Sequence, residues 1–182
     1  MKQKTANSES RTALYIKVIA SVMILVAPLL PAKAGNGDNH AGVQVGVLFP
    51  GMVNATISFD TETSYHNAWE VYLDAFTMPK KCPDCAKVCS ESFWKSSYGL
   101  SVGGAYKPAV HRSRNSVGRV RIGADVGTNN REFALGIELG YEYVWTFRNG
   151  CQLVLQQKNE VCFWGKETWR FGGLVGFRIP LP

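Results

Sequence analysis

The chain has 182 residues, 46% of them hydrophobic and 12% aromatic, with a formal net charge of +6. That length suits one domain. The first 34 residues hold five Lys/Arg and one Glu, so the remainder carries only +2, and it has no basic run interleaved with aromatics of the kind that grips nucleic acid.

The chain opens as an export signal. Lys2, Lys4, Arg11 and Lys17 make a basic start, and Val18 to Leu30 is apolar apart from Ser21 and Pro28. Pro31-Ala32-Lys33-Ala34 then places small residues at the −3 and −1 positions, so residues 1–34 read as a signal peptide cleaved after Ala34. The apolar run is shorter than the ~20 residues of a spanning helix. No cysteine closes it to carry a lipid anchor. Residues 35–182 are expected to form a single β-barrel domain.

Eight strands are predicted in that domain: 42–49, 52–60, 67–76, 98–106, 117–126, 132–147, 152–163 and 168–179. In the second, Val53, Ala55, Ile57 and Phe59 alternate with Met52, Asn54, Thr56 and Ser58. The third sets Trp69, Val71, Leu73 and Ala75 against Glu70, Tyr72 and Asp74. The fourth is rich in glycine, with Tyr98, Leu100, Val102 and Tyr106 as its larger set. In the fifth, Val120, Ile122, Ala124 and Val126 oppose Arg119, Arg121, Gly123 and Asp125.

The sixth carries the clearest signal. Phe133, Leu135, Ile137, Leu139, Tyr141, Tyr143, Trp145 and Phe147 share one parity; Ala134, Gly136, Glu138, Gly140 and Glu142 share the other, and only Val144 breaks the pattern. A period of two places these sets on opposite faces of one strand. The greasy face ends in aromatics and the other face is small or acidic. Soluble strands average about 5–6 residues, whereas outer-membrane strands are longer, with aromatic girdles and a polar interior. The last strand repeats the theme: Trp169, Phe171, Val175, Phe177 and Ile179 against Arg170, Gly172, Leu174, Gly176 and Arg178.

Turn residues separate the strands at Pro50-Gly51, Thr61 to Ser64, Gly127 to Asn130 and Asn149-Gly150. The long insert, 77–97, contains cysteines. With no helical crossover, neighbouring strands should be antiparallel. The fold expected is therefore all-β, an eight-stranded antiparallel up-and-down β-barrel of outer-membrane type. Side chains fill a barrel of that size and leave no wide pore.

The polar parity collects Glu70, Asp74, Arg119, Arg121, Asp125, Glu138, Glu142, Lys158, Glu160, Arg170 and Arg178. A narrow lumen holds such charges only if they pair or meet water, so they read as scaffold. Between the fifth and sixth strands, a loop at Asn129-Asn130 would set Arg121 directly opposite Glu138, with Arg119 diagonal to it. At Asn149-Gly150, a two-residue turn would put Leu153 and Leu155 on the face of Glu142. A three-residue loop that pairs Arg148 with Gln152 keeps the apolar set outside, with Gly150 at positive φ in a G1-type bulge.

Five cysteines follow the leader. Cys82, Cys85 and Cys89 form C-x2-C-x3-C, one ligand short of a zinc set, so they are weak metal candidates and disulfide pairing is preferred in an oxidising envelope. Cys151 and Cys162 lie at opposite ends of one predicted strand, too far apart to bridge each other. Cys162 sits at the end that holds the cysteine loop and is expected to pair with Cys82, Cys85 or Cys89, leaving Cys151 free.

The C-terminal third is similar to a known family. Leu153-Val154-Leu155-Gln156, Val161, Trp164-Gly165, Phe171, Gly176 and Arg178 resemble the closing hairpin of the TraO family of Bacteroidetes conjugative transposons. About the last 30 residues carry the match. Upstream, the length, leader and all-β pattern are similar. The resemblance implies an accessory outer-membrane part of a conjugative, type IV-like DNA-transfer apparatus in the cell envelope. It implies the lipid bilayer and other transfer proteins as partners, and it supplies no catalytic residues. One departure is the end of the chain: Pro180-Leu181-Pro182 follows Phe177-Arg178-Ile179, where many outer-membrane barrels close on an aromatic residue.

No cofactor is indicated. His40, His66 and His111 are the histidines. A hydrolase built on His66 with Ser64 or Ser97 is the nearest catalytic reading, but no G-x-S-x-G, H-E-x-x-H or P-loop supports it, and the chain is expected not to be an enzyme. Two other roles remain open: a generic small outer-membrane barrel for adhesion or envelope integrity, and a soluble periplasmic barrel binding a small ligand.

Overall fold

The structure is a computed structural model that describes residues 38–63, 65–78, 97–129, 132–163 and 168–181. The expected signal peptide, the C-x2-C-x3-C segment and Trp164-Gly165 lie outside the described residues. The described residues form an antiparallel barrel of β1 (Asn39–Phe49), β2 (Met52–Glu62), β3 (Ala68–Met78), β4 (Ser97–Lys107), β5 (Ala109–Arg112), β6 (Ser116–Asn129), β7 (Glu132–Thr146), β8 (Gln152–Phe163) and β9 (Trp169–Leu181). Each strand pairs with its neighbour in sequence except β4 and β5, which both pair with β6, and β9 returns to β1.

Eight of these strands are the predicted ones. The addition is β5, which places His111 on a strand where a loop was expected. Pro108 lacks an N–H and ends β4, yet its carbonyl accepts from the Val120 N–H at 3.0 Å. The chain thus stays beside β6, with Tyr106 opposite Ile122 and Ala109 opposite Arg119. β4 and β5 are one stave broken at a proline, so the barrel has eight staves.

Closure can be followed residue by residue. Asn39 pairs with Thr61, Thr61 with Trp69, Trp69 with Tyr106, Tyr106 with Ile122, Ile122 with Leu139, Leu139 with Asn159, Asn159 with Phe171, and Phe171 with Phe49. One circuit begins at Asn39 and ends at Phe49, at the far end of the same strand. That stagger is what tilted strands require, with tilts of about 35–45° in barrels generally.

The faces divide by parity. Val43, Val45, Val47, Ile57, Leu73, Ile122, Ile137, Leu139 and Val175 are exposed on the outside. Outward aromatics gather near both rims. Phe59, Trp69, Tyr106, Tyr141 and Trp145 lie toward the end where β1 begins and β9 finishes, the terminal end of the barrel; Phe49, Tyr98, Phe163, Trp169 and Phe171 lie toward the other. Trp69 packs on Tyr106 at 4.7 Å between ring centroids, and Phe49 stacks on Phe171 at 5.0 Å. Inside, Leu48, Met52, Phe76 and Leu174 form an apolar cluster. Val117, Val144 and Val154 face one another across β6, β7 and β8 near the terminal end. Val144 breaks the strand pattern because it belongs to this inner seal.

The β7–β8 turn has the expected three-residue form, placed one residue earlier. The Phe147 N–H donates to the Cys151 carbonyl at 2.8 Å, and the Gly150 N–H donates to the Phe147 carbonyl at 3.0 Å. The loop is Arg148-Asn149-Gly150, and Gly150 takes φ +82°. A loop of residues 149–151 would have put Cys151 in that left-handed position, which glycine occupies at far lower cost. Trp145 consequently faces Leu153, and the apolar set stays outside. Gly150→Ala should therefore lower stability in urea unfolding by about 1–2 kcal/mol, and Gly150→Asn by less, since asparagine tolerates the left-handed region.

Candidate functional site

The inward positions build a charged lumen. Glu70, Asp74, Arg119, Arg121, Asp125, Glu138, Glu142, Lys158, Glu160, Arg170 and Arg178 are all buried, none more than 6% exposed. Asp60 and Lys107 join them at 2% and 0%, although both lay just outside the group singled out from sequence. The signal for them was present: Asp60 continues the even parity of β2, and Lys107 continues the odd parity of β4 one residue past its predicted end.

Room for these side chains comes from glycine. Arg121 faces Gly140, Glu138 faces Gly123, Asp125 faces Gly136, and Arg178 faces Gly42. A Cβ at Gly42 would lie 2.6 Å from the Arg178 Cγ. This explains why the expected direct opposition of Arg121 and Glu138 is not the register found. It would have set large against large and Gly123 against Gly136. The observed register alternates large with small, as a filled narrow barrel requires. Arg121 still reaches Glu138 through its Nη1, now on the diagonal, and Arg119 stands directly opposite Glu142.

Ion pairs then run almost the length of the lumen. At the terminal end, Arg119 Nη2 meets Glu62 at 2.6 Å, and its Nη1 meets Glu142 at 3.3 Å. Glu142 also accepts from Lys107 at 2.9 Å and from both terminal nitrogens of Arg178, with Nη1 at 2.9 Å. Lys107 bridges onward to Asp60 at 2.5 Å and to Glu70; Arg178 Nε lies 2.8 Å from Asp60. Arg121 holds Glu70 through two nitrogens at 3.3 Å and passes the chain to Glu138. Glu138 meets Lys158, which contacts Asp74 and, at 3.3 Å, Glu160. Arg170 closes on Glu160 at 3.0 Å. Rings add cation–π contacts, with Arg121 4.4 Å from the Tyr72 centroid and Arg170 4.1 Å from that of Phe76.

Other groups stand apart from this chain of pairs. Asp125 is buried beside Gly136, and its Oδ1 has no hydrogen-bond partner among the described residues. Both amide atoms of the fully buried Gln44 are likewise unpartnered among them. Cys162 lies buried with its Sγ 2.9 Å from Glu160 Oε1, whereas Cys151 sits at the other end of β8. Neither is bridged among the described residues, and Cys82, Cys85 and Cys89 lie outside them. Among the described residues no cluster of three or more metal-ligating side chains is present.

His66 does not meet Ser97. Its Nδ1 lies 2.6 Å from Glu62 Oε1 at the terminal rim. Ser97 pairs with Met78 at the opposite end of β3, about 33 Å away at ~3.3 Å per residue. Ser64 lies outside the described residues.

The arrangement is a filled, cross-tied interior within an apolar wall. A soluble ligand-binding barrel would need the reverse, an open interior and a polar exterior.

No protein-family model matches the chain, and no curated protein matches it. Solved structures share its fold. A major outer membrane protein from Thermus thermophilus aligns with a TM-score of 0.51 over 81% of this chain and 100% of that one, at 9% identity. The outer membrane enzyme PagL aligns with a TM-score of 0.51 over 78% and 99%, at 10% identity. The second likeness corrects the expectation that the chain is not an enzyme. The same small barrel carries an enzyme in PagL, so fold class gives no ground for excluding catalysis.

Removal of Glu142 should be the most damaging single change in the lumen, because it leaves Lys107, Arg119 and Arg178 without a shared partner. Glu142→Gln is expected to cost about 3–5 kcal/mol in urea unfolding, more than Glu138→Gln. Arg121→Met with Glu138→Met should recover part of the loss of either single change, with a coupling of about 0.5–3 kcal/mol in a double-mutant cycle.

Proposed function

We propose that this chain resides in the outer membrane and serves as a structural or accessory component of a conjugative, type IV-like DNA-transfer apparatus. The observation that carries the membrane reading is the outer wall. Its outward positions between two aromatic rims are mostly aliphatic, the surface that lipid solvates. Water would leave that area exposed at roughly 25 cal/mol per Å². A closed barrel also leaves no unpaired strand edge in the hydrocarbon.

The transfer role is supported by the resemblance of the last hairpin to the TraO family. In the structure the described ones among those residues belong to the β8–β9 pair. Leu153, Leu155 and Phe171 lie on the outer side, and Val154, Gln156, Gly176 and Arg178 on the inner. Arg178 is thus part of the lumen network through Glu142 and Asp60. A plugged interior suits a scaffold better than a conduit, so neighbouring transfer proteins would be met at the rims or the outer wall.

In the outer-membrane fraction the protein should migrate as a compact band when unheated and as a slower band after boiling. Deletion of the gene should lower mating frequency, and a plasmid copy should restore it. Recovery in the soluble periplasm without a heat-dependent shift would refute the membrane reading. Unchanged mating frequency would refute the transfer role and favour a general envelope function.

A further inference from the structure

Between the aromatic rims, the outward positions of all eight staves are aliphatic or glycine with two exceptions. Both exceptions are on β8: Gln157 and Asn159. They lie near the middle of the strand, with Gln157 paired to Tyr141 and Gly173, and Asn159 to Leu139 and Phe171. A primary amide facing hydrocarbon is costly unless it is hydrogen-bonded. Asn159 resolves this locally, donating its Nδ2 to the Leu139 carbonyl at 3.1 Å. Gln157 is exposed, and its amide has no such anchor among the described residues.

A second feature coincides with it. The wall beside Gln157 is hollowed, because Gly173 presents no side chain there. The lining of this hollow includes Tyr141, Leu155, Gln157, Gly173 and Val175 and reaches β1 at Val45. The hollow and the unanchored amide are therefore adjacent.

We propose that two copies of this barrel associate side by side in the membrane through the outer face of β7, β8 and β9, with their Gln157 amides hydrogen-bonded to each other. The inference rests on the membrane reading above. Three physical arguments select a second copy as the occupant. An amide carries both a donor and an acceptor, so two glutamines satisfy one another reciprocally. Two copies inserted in the same direction can be related by a two-fold axis along the membrane normal. Such an axis preserves depth, so a residue on the seam meets its own counterpart. Two-fold dimers are also the commonest closed assemblies. The Gly173 hollow lets the walls approach closely enough for the amides to touch, as small residues do between membrane helices.

The test compares the wild-type protein, Gln157→Leu and Gln157→Cys. Molar mass is measured by light scattering in mild detergent, and cross-linking is measured by oxidation of intact outer membranes. The wild type should show twice the monomer mass. Gln157→Leu should keep the heat-dependent gel shift while weakening dimerisation roughly 3- to 30-fold, the span expected of one hydrogen bond in a membrane. Gln157→Cys should yield a dimer-sized cross-link that the wild type, with its native cysteines, does not. A monomeric wild type in both detergent and bilayer overturns the proposal. So does a Gln157→Leu dimer of unchanged strength, or a Gln157→Cys cross-link only to a different protein. If Gln157→Leu fails to fold, the Gln157→Cys result decides alone. The heat shift reports on the membrane reading and the mass on the dimer, so the two fail separately.

Discussion

Nearly every charge inside this barrel finds a partner within the lumen, because the interior is too narrow to hydrate it; Asp125 is the exception among the described residues. That constraint is concentrated at Glu142, which holds Lys107 from β4, Arg119 from β6 and Arg178 from β9. From there the pairs extend through Asp60, Glu70 and Arg121 to Glu138, Lys158 and Glu160. All staves but β1 contribute a charged side chain. Such an assembly is unforgiving: loss of one member strands others at several kcal/mol each. It also specifies the fold, since a stave shifted by two residues keeps its faces but loses its partners.

The outside obeys the opposite rule. A soluble protein hides its apolar parity and shows its polar one, and here the two have changed places. The same period of two serves both, because a strand separates its faces whatever solvent meets each of them. What marks the membrane case is the length of the pattern, the aromatics at its ends and the packing of glycine against the buried charges. The inner apolar clusters near each end, Leu48 with Met52, Phe76 and Leu174, and Val117 with Val144 and Val154, then bound the polar interior. The outward Gln157 is a departure from an otherwise consistent wall, and departures of that kind are where function is to be sought.

Face assignment was legible in the sequence to a high degree because alternation is a local property. The eleven charges picked by parity all lie inside. Of those overlooked, Lys107 was lost to a strand end drawn one residue short, and Asp60 stood at the last position of its predicted strand, where the alternation was not carried through. β5 was hidden by Pro108, which reads as a terminator although the chain runs on beside β6. Val144 looked like an error in the pattern and is a member of the inner seal.

The sequence by itself determined that the chain alternates, which side of each strand is greasy, that the strands are antiparallel, and that Gly150 takes the left-handed position of its turn. Those follow from the two-residue period and from the conformational freedom of a single glycine, both readable without knowing any neighbour. Tertiary structure alone decided which residue stands opposite which. The β6–β7 register places Arg121 against Gly140 and leaves Glu138 on its diagonal, because a closed barrel of eight staves has room for a guanidinium only where the facing residue has no side chain. Parity is a property of one strand. Register is a property of all of them at once, since the stagger must close on itself around the whole barrel.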